Sequence, residues 1–243
     1  MPSLAAVFAH PDDETFAMGG TALHYAARDV VCHLFCATDG DAGQSSGMPV
    51  GSRAELGTIR RRELQEAARL LGFRDPRLGA HPDGRLKTVD ADVLVGEIVD
   101  FLRQCRPRVV VTFGPEGAPN GHADHRAISR ATTAAFFLAG LPTAYPEQLA
   151  AGRAPHRPGR LYYVTWEPPR PDSPDPLHGV PPTARIDVAR WDDTKRAAFR
   201  IHATQRIHEA HFERVAMTPC EAFALAAGIP QPSPLVDDLF AGM

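Results

Sequence analysis

The segment SLAAVFAHPDDE, residues 3–14, is the stretch of sequence that decides the fold. Residues 3–9 form a short apolar run that predicts a buried strand. The His-Pro pair ends that run, and small and apolar residues then recur at helical spacing from Thr15 to Arg28. The segment therefore predicts a strand, a sharp turn and a helix, with a histidine and three carboxylates gathered at the turn.

The alternation of strands and helices continues outward from this segment. Gly72 is placed to end the long helix that precedes it. β-branched runs between amphipathic helices are typical of a mostly parallel sheet covered by helices on both faces, so the fold class is α/β. Further strands are predicted over 30–37, 109–113 and 161–166, and helices over 58–71, 89–105, 122–138 (after a loop end) and 192–211.

Three stretches interrupt the pattern. Residues 39–57 are rich in Gly, Ser and Asp and predict a long loop, and loops of this length in compact domains are usually functional or disordered. Residues 141–160 and 167–182 are Pro-rich and predict excursions or lid-like segments. We expect one domain over 1–243, with a core over 1–140 and additions over 141–243 that complete the site.

The composition and the charge argue against nucleic-acid binding and against a membrane-spanning protein. A net charge of −3 gives no electrostatic reason to expect nucleic acid or an anionic membrane as a partner. There is no apolar run of about 18 residues, which argues against a spanning helix. The N-terminal segment lacks a basic region before its first acidic residues, so we expect no secretory signal and a cytoplasmic location. A homo-oligomer is left open.

The four cysteines do not form a recognisable disulfide or zinc pattern. On a straight strand Cys32 and Cys36 would share a face but lie roughly 13 Å apart, too far to bind one zinc ion. We expect buried, inert thiols at these positions and at Cys105 and Cys220.

Two polar loops follow two of the predicted strands. AHPDDE follows the first strand, and GPEGAPNGHADH, residues 114–125, follows the strand over 109–113. Ligands of open parallel sheets bind beyond the carboxyl ends of strands, so the loops are predicted to be neighbours. Two imidazoles and one carboxylate are a common catalytic zinc shell, and His10, Asp13 and His125 are the candidate ligands. A zinc ion there would lower the pKa of a bound water.

Hydrolysis at such a site also needs a base and a donor for the oxyanion. Asp12, next to the ligand Asp13, can take the proton. His122 can stabilise the oxyanion, with Asp124 available to maintain the charge of its ring. A simpler interpretation makes Asp13 a helix cap. Carboxylates crowded against a histidine argue for a cation instead, because they repel one another.

AHPDDE with a distant GHADH resembles the motifs of the LmbE-like (PIG-L) family of zinc-dependent N-acetylglucosamine deacetylases. The family usually has proline where this chain has Ala123. The resemblance also covers RRRELQEAARLLGF (60–73), the Asp83-Gly84 pair and KRAAFRIHATQ (195–205). It implies a Rossmann-like α/β domain with C-terminal additions that hydrolyses the N-acetyl group of a small glycoside.

The resemblance also implies roles for individual residues. His10, Asp13 and His125 would bind zinc, Asp12 would be the general base, and His122 would polarise the amide oxygen or protonate the amine, oriented by Asp124. Contacts with the substrate would come from Arg60, Asp83, His202 and Gln205. A site with two histidines and one aspartate also accepts Fe²⁺ or Mn²⁺. N-acetylglucosaminyl malate or inositol, intermediates of thiol biosynthesis, are the substrates we expect.

Alternative interpretations remain. Gly43 to Gly47 matches the G-x-S-x-G pattern of serine esterases at Ser45, but without the strand and helix that must flank it. After the deacetylase and the serine esterase, the third candidate function is a sugar-binding module that retains the fold without catalysis. His208 and His211 have a spacing found in metal sites, but we expect a solvent-facing helix there because no third ligand is evident.

Overall fold

A seven-stranded sheet forms the centre of the computed structural model, which describes residues 1–166 and 180–243. Its strand order is β3-β2-β1-β4-β5-β7-β6. The strands are β1 (Ser3–Phe8), β2 (Val31–Thr38), β3 (Phe73–His81), β4 (Val109–Phe113), β5 (Arg160–Thr165), β6 (Ala184–Asp187) and β7 (Cys220–Gly228). The helices are α1 (Asp13–Ala26), α2 (Arg53–Leu70), α3 (Ala91–Cys105), α4 (Ala123–Leu138), α5 (Pro146–Ala150), α6 (Asp192–Ile201) and α7 (Glu209–Val215).

Strands β1 to β5 pair in parallel, which confirms the predicted α/β fold with a mostly parallel sheet. All residues of β1 and β4 are buried, as expected for central strands covered on both faces. Strand β7 runs antiparallel to β5 and β6, and β6 is the edge strand on this side of the sheet. Because β1 to β4 run in the same direction, the loops that leave their carboxyl ends meet at one edge of the sheet.

Three strands, β3, β6 and β7, were not predicted from the sequence, and two helix boundaries lie elsewhere than predicted. Helix α2 begins at Arg53, so the predicted loop over 39–57 is shorter than expected. Ser52 caps this helix by accepting the amide hydrogen of Glu55 at 3.2 Å. The predicted helix over 192–211 is wrong as one element, because α6 ends at Ile201 and a 3-10 turn over 203–208 separates it from α7.

The Pro-rich stretch over 141–160 contains the short helix α5 and is held by Arg103 of α3. The buried guanidinium of Arg103 donates to the carbonyl oxygens of Leu141 at 2.9 Å and Ala144 at 2.8 Å. Of the second Pro-rich stretch, residues 167–179 lie outside the described residues. None of the four cysteines is in a disulfide, and burial raises the pKa of Cys32 to about 12, in keeping with an inert thiol. Cys32 and Cys36 are buried as predicted, whereas Cys105 and Cys220 are only partly buried, so the predicted burial is wrong for these two.

No helix within residues 1–166 and 180–243 combines the length and the apolar character that crossing a membrane would require.

Gly72 ends α2 as predicted, with φ +86° and no room for a side chain. A Cβ at this position would lie 2.5 Å from the Cβ of Ala26. We expect Gly72→Ala to lower the free energy of unfolding by about 1–3 kcal/mol, from the positive φ and the clash together, measured by urea denaturation. Gly152→Ala is the matched control, because its φ of +92° carries the strain while its Cβ would meet nothing within 4 Å. An equal loss in the free energy of unfolding in the two variants would contradict a contribution from the clash with Ala26.

Candidate active site

A polar cavity lies at the carboxyl edge of the sheet, where the turn after β1 meets the loops after β2, β3 and β4. The structure brings both predicted loops to this cavity. The titratable side chains that line it come from five separate parts of the chain: His10, Asp12, Asp13, Arg60, Asp83, His122, His125, His208 and His211.

Asp13 lies between the two candidate ligand histidines. Its Oδ2 is 3.4 Å from Nδ1 of His10, and its Oδ1 is 3.2 Å from Nε2 of His125. Burial alone would raise the pKa of Asp13, but the positive charges of His125 and His10 outweigh it and hold the pKa well below its ordinary value. The ring of His125 stacks on Phe113 at the end of β4, with centroids 3.9 Å apart. The backbone amides of Ala9 and His10 fix the Asp13 carboxylate at 3.1 and 2.8 Å.

The Nε2 edge of the His10 ring contacts two more carboxylates. Its Nε2 lies 3.1 Å from Asp83 Oδ1 and 3.4 Å from Asp124 Oδ2. Ligand atoms within 4.8 Å of one another form two groups, one with His122 and His125 beside His10, the other with Asp83 and Asp124 beside it. Imidazoles and carboxylates that converge in this way suit a divalent metal, and a carboxylate behind a ligand histidine fixes the orientation of its ring.

Asp12 adopts a conformation that is rare for a residue with a side chain. Its φ is +105°, and such strain costs about 1–3 kcal/mol. Its carboxylate faces Arg60, whose Nη2 lies 3.7 Å from Oδ2. Burial raises the pKa of Asp12 to about 7, with the charge of Arg60 opposing the shift. A carboxylate with a pKa near neutrality is suited to accept a proton.

His122 caps α4 rather than pairing with the side chain of Asp124, so this part of the prediction is wrong. Nδ1 of His122 accepts the amide hydrogen of Asp124 at 3.2 Å, and a neutral ring therefore carries its proton on Nε2. Burial, with the charges of His10 and His125, lowers the pKa of His122, which also favours the neutral ring.

The Asp124 residue is fully buried, and its carboxylate forms its hydrogen bonds with groups other than the His122 ring. It accepts hydrogen bonds from the amides of Gly84 at 2.7 Å and Leu86 at 3.0 Å, and it contacts His10. Asp124 therefore fixes the loop after β3 against α4 and orients His10. The orienting role that we assigned to it acts on a different histidine from the one expected.

The four predicted substrate contacts separate into two groups. Arg60, Asp83 and Gln205 line the cavity. Arg60 is also committed to the protein, because its Nη1 donates to the Gly40 carbonyl at 2.9 Å and its Nη2 to the Pro11 carbonyl. His202 lies outside the cavity lining and is fully buried, so a direct contact with the substrate is wrong for this residue.

Two contributions to this region, from the histidines of the late helical segment and from Glu14, were not predicted from the sequence. His208 and His211 line the cavity, so the expectation that both face only solvent is wrong. Glu14, the last residue of AHPDDE, is buried and accepts the amide hydrogen of Asp12 at 3.0 Å. Ser45 is not part of the cavity lining, and its hydroxyl donates to the Met48 carbonyl at 3.0 Å.

The comparison of the sequence with known families and proteins identifies the family to which this chain belongs. The chain belongs to the PIG-L family, whose model, described as GlcNAc-PI de-N-acetylase, matches residues 5–136. A curated relative is the 1D-myo-inositol 2-acetamido-2-deoxy-alpha-D-glucopyranoside deacetylase of Rhodococcus jostii (strain RHA1). It is 33% identical over an alignment that covers 83% of this chain and 81% of the relative.

Two solved structures share the fold. The N,N'-diacetylchitobiose deacetylase from Pyrococcus horikoshii superposes with a TM-score of 0.76 at 22% identity, over 92% of this chain and 83% of that one. GalB, the 4-carboxy-2-hydroxymuconate hydratase from Pseudomonas putida KT2440, also gives 0.76 at 20% identity, over 96% and 99% of the two chains. Since one neighbour is named a deacetylase and the other a hydratase, the fold alone does not assign the reaction.

Proposed function

We propose that this chain is a metal-dependent deacetylase that hydrolyses the N-acetyl group of a small N-acetylglucosamine conjugate. The observation that supports this most is the convergence of the three candidate ligands in a cavity that Asp12 and His122 also line. His10, Asp13 and His125 would hold the ion, Asp12 would be the base, and His122 would be the oxyanion donor. A cytoplasmic location and the one-domain organisation remain predictions from the sequence.

The donor set suits zinc, since two histidines and an aspartate leave a coordination position open. When bound, the ion supplies a water of lowered pKa and polarises the amide carbonyl. Fe²⁺ and Mn²⁺ accept similar ligands, so the metal of the native enzyme is part of the proposal. Since the Nε2 of His10 lies between Asp83 and Asp124, His10 would hold the ion through Nδ1, the ring nitrogen that faces Asp13.

The protein's own groups account for the proton transfers. The Asp12 carboxylate accepts a proton from the attacking water, and its raised pKa favours that transfer. The Nε2–H of His122 donates to the carbonyl oxygen as negative charge develops on it. The proton held by Asp12 then passes to the departing nitrogen, so acetate and a free amine leave the site.

The substrate class follows from the relatives and from the cavity wall. The relative from Rhodococcus is named for an inositol glycoside of N-acetylglucosamine, and we propose the same class of conjugate here. Phe16 and Trp166 line the cavity and would pack against a sugar ring, while His208 and His211 add polar atoms to the same lining. N-acetylglucosaminyl malate is the second substrate to test.

The proposed function is tested by measuring the release of amine and acetate from N-acetylglucosaminyl inositol, N-acetylglucosaminyl malate and free N-acetylglucosamine. We expect equal amounts of both products, loss of turnover after treatment with a chelator, and recovery when Zn²⁺ is restored. Metal content is measured on the same samples. Glycan binding without amine release from the metal-loaded protein would favour a binding module. Inactivation by a serine-directed reagent but not by a chelator would favour an esterase.

A further inference from the structure

Glu14 and His202 form a buried pair behind the candidate base. Nε2 of His202 lies 2.8 Å from Oε1 of Glu14, and the residues are 0% and 1% exposed respectively. The other carboxylate oxygen of Glu14 accepts the amide hydrogen of Asp12 at 3.0 Å. Thr15 donates its hydroxyl to Oε1 at 2.6 Å. The Glu14 carboxylate therefore joins the backbone of Asp12 to His202, which lies 188 positions after Glu14 in the chain.

The break in the late helical segment is what directs His202 inward. Helix α6 ends at Ile201, and His202 has φ −73° and ψ 60°, outside the helical range. Thr204 is held against α2 by Glu63, which accepts its amide hydrogen at 2.9 Å and its hydroxyl at 2.6 Å. The position of His202 is therefore fixed from both sides, by α6 and by the anchored turn.

The conformation of Asp12 gives this contact a functional consequence. With φ at +105° its backbone is strained, and a strained residue keeps its geometry only where its surroundings hold it. The bond from its amide to Glu14 restrains the residue that carries the carboxylate. Loss of that restraint would let the carboxylate move from the position in which it meets the attacking water, and small displacements of reacting groups are costly.

We propose that Glu14 and His202 are positioning residues that hold Asp12 in its reactive conformation. The inference rests on the proposed function, in which Asp12 is the general base. His202 acts through Glu14, and Glu14 acts through the amide of Asp12. Neither side chain has to touch the substrate or the metal.

The test uses the metal-loaded full chain and the variants His202→Ala, His202→Gln and Glu14→Gln. Gln is the conservative variant of His202, because its amide nitrogen can donate to Glu14. We expect kcat to fall about 10- to 100-fold in His202→Ala, with KM within about 2-fold and metal content unchanged. His202→Gln should recover most of the lost kcat. In an Asp12→Asn background the His202→Ala change should cause no further loss, as a double-mutant cycle would reveal.

Tyr25→Phe is the matched control for general destabilisation. It removes a buried hydroxyl that donates to Asp238 at 2.8 Å, at the opposite end of α1. We expect it to lower the melting temperature and to leave kcat unchanged. Each of three results would overturn the proposal: a raised KM at full kcat, loss of the metal in His202→Ala, or a full further loss in the Asp12→Asn background.

Exchange of the Asp12 amide hydrogen, followed by NMR, is a readout that needs no substrate. We expect faster exchange in His202→Ala and Glu14→Gln than in the wild-type protein and Tyr25→Phe. Unchanged exchange would overturn the positioning inference even if the enzyme is an active deacetylase. If the wild-type protein releases no amine, the proposed function fails, and the exchange rates still decide whether the pair holds the backbone of Asp12.

Discussion

Replacing Asp12 by asparagine is expected to leave the metal bound and to lower kcat by about 10²- to 10⁴-fold, the usual contribution of a general base. Asparagine keeps the size of the side chain and tolerates a positive φ better than alanine, so the strained turn with φ +105° should survive. It cannot accept a proton at neutral pH. Amine release and metal content measured on one sample separate the loss of the base from the loss of the ion.

Ser45→Ala provides the control for this experiment. The residue lies in the loop between β2 and α2 and outside the cavity lining, so we expect wild-type kcat and wild-type metal content. Turnover near the wild-type value in Asp12→Asn would refute the assignment of the base. A large loss in Ser45→Ala would instead revive the serine esterase.

The sequence predicted the central strands and the edge where the site lies, because these depend on local patterns. Continuous apolar runs indicated β1 and β4, and the rule for parallel sheets then brought the loops after them together. Strand β3 escaped prediction because it is an edge strand that contains Pro76 and is mostly not buried. Strand β6 has four residues, and β7 is rich in alanine, so neither carries a strong strand pattern.

The contacts inside the site depended on features that the sequence does not encode locally. The partner of the Asp124 carboxylate is set by the loop over 84–86, which folds onto α4 from another part of the chain. The burial of His202 follows from a helix break that the continuous pattern over 192–211 did not reveal. A motif predicts which residues gather, whereas the tertiary packing decides which pairs of atoms meet.

His125→Ala is expected to remove both the metal and the activity. The imidazole of His125 is one of two histidines in contact with Asp13, and its Nε2 lies 3.2 Å from that carboxylate. Without it the site retains one imidazole and one carboxylate from the proposed set, too few for a stable zinc site. The protein should remain folded, because the ring lies at the cavity and Phe113 can pack without it. Metal content by mass spectrometry and circular dichroism test the two statements together.

Two further histidine variants decide which side chains complete the metal shell. His122 lies in one of the groups of converging ligand atoms, so its replacement tests whether it takes the place that we assign to Asp13. We expect His122→Ala to keep the ion and lose turnover, because its Nδ1 is committed to the Asp124 amide and its Nε2 is assigned to the substrate. His156→Ala is the control, since its Nε2 contacts the Pro107 carbonyl at 2.7 Å, before the start of β4 and away from the site. Full occupancy in His125→Ala, with loss of the ion in His122→Ala, would replace the proposed ligand set by one that contains His122.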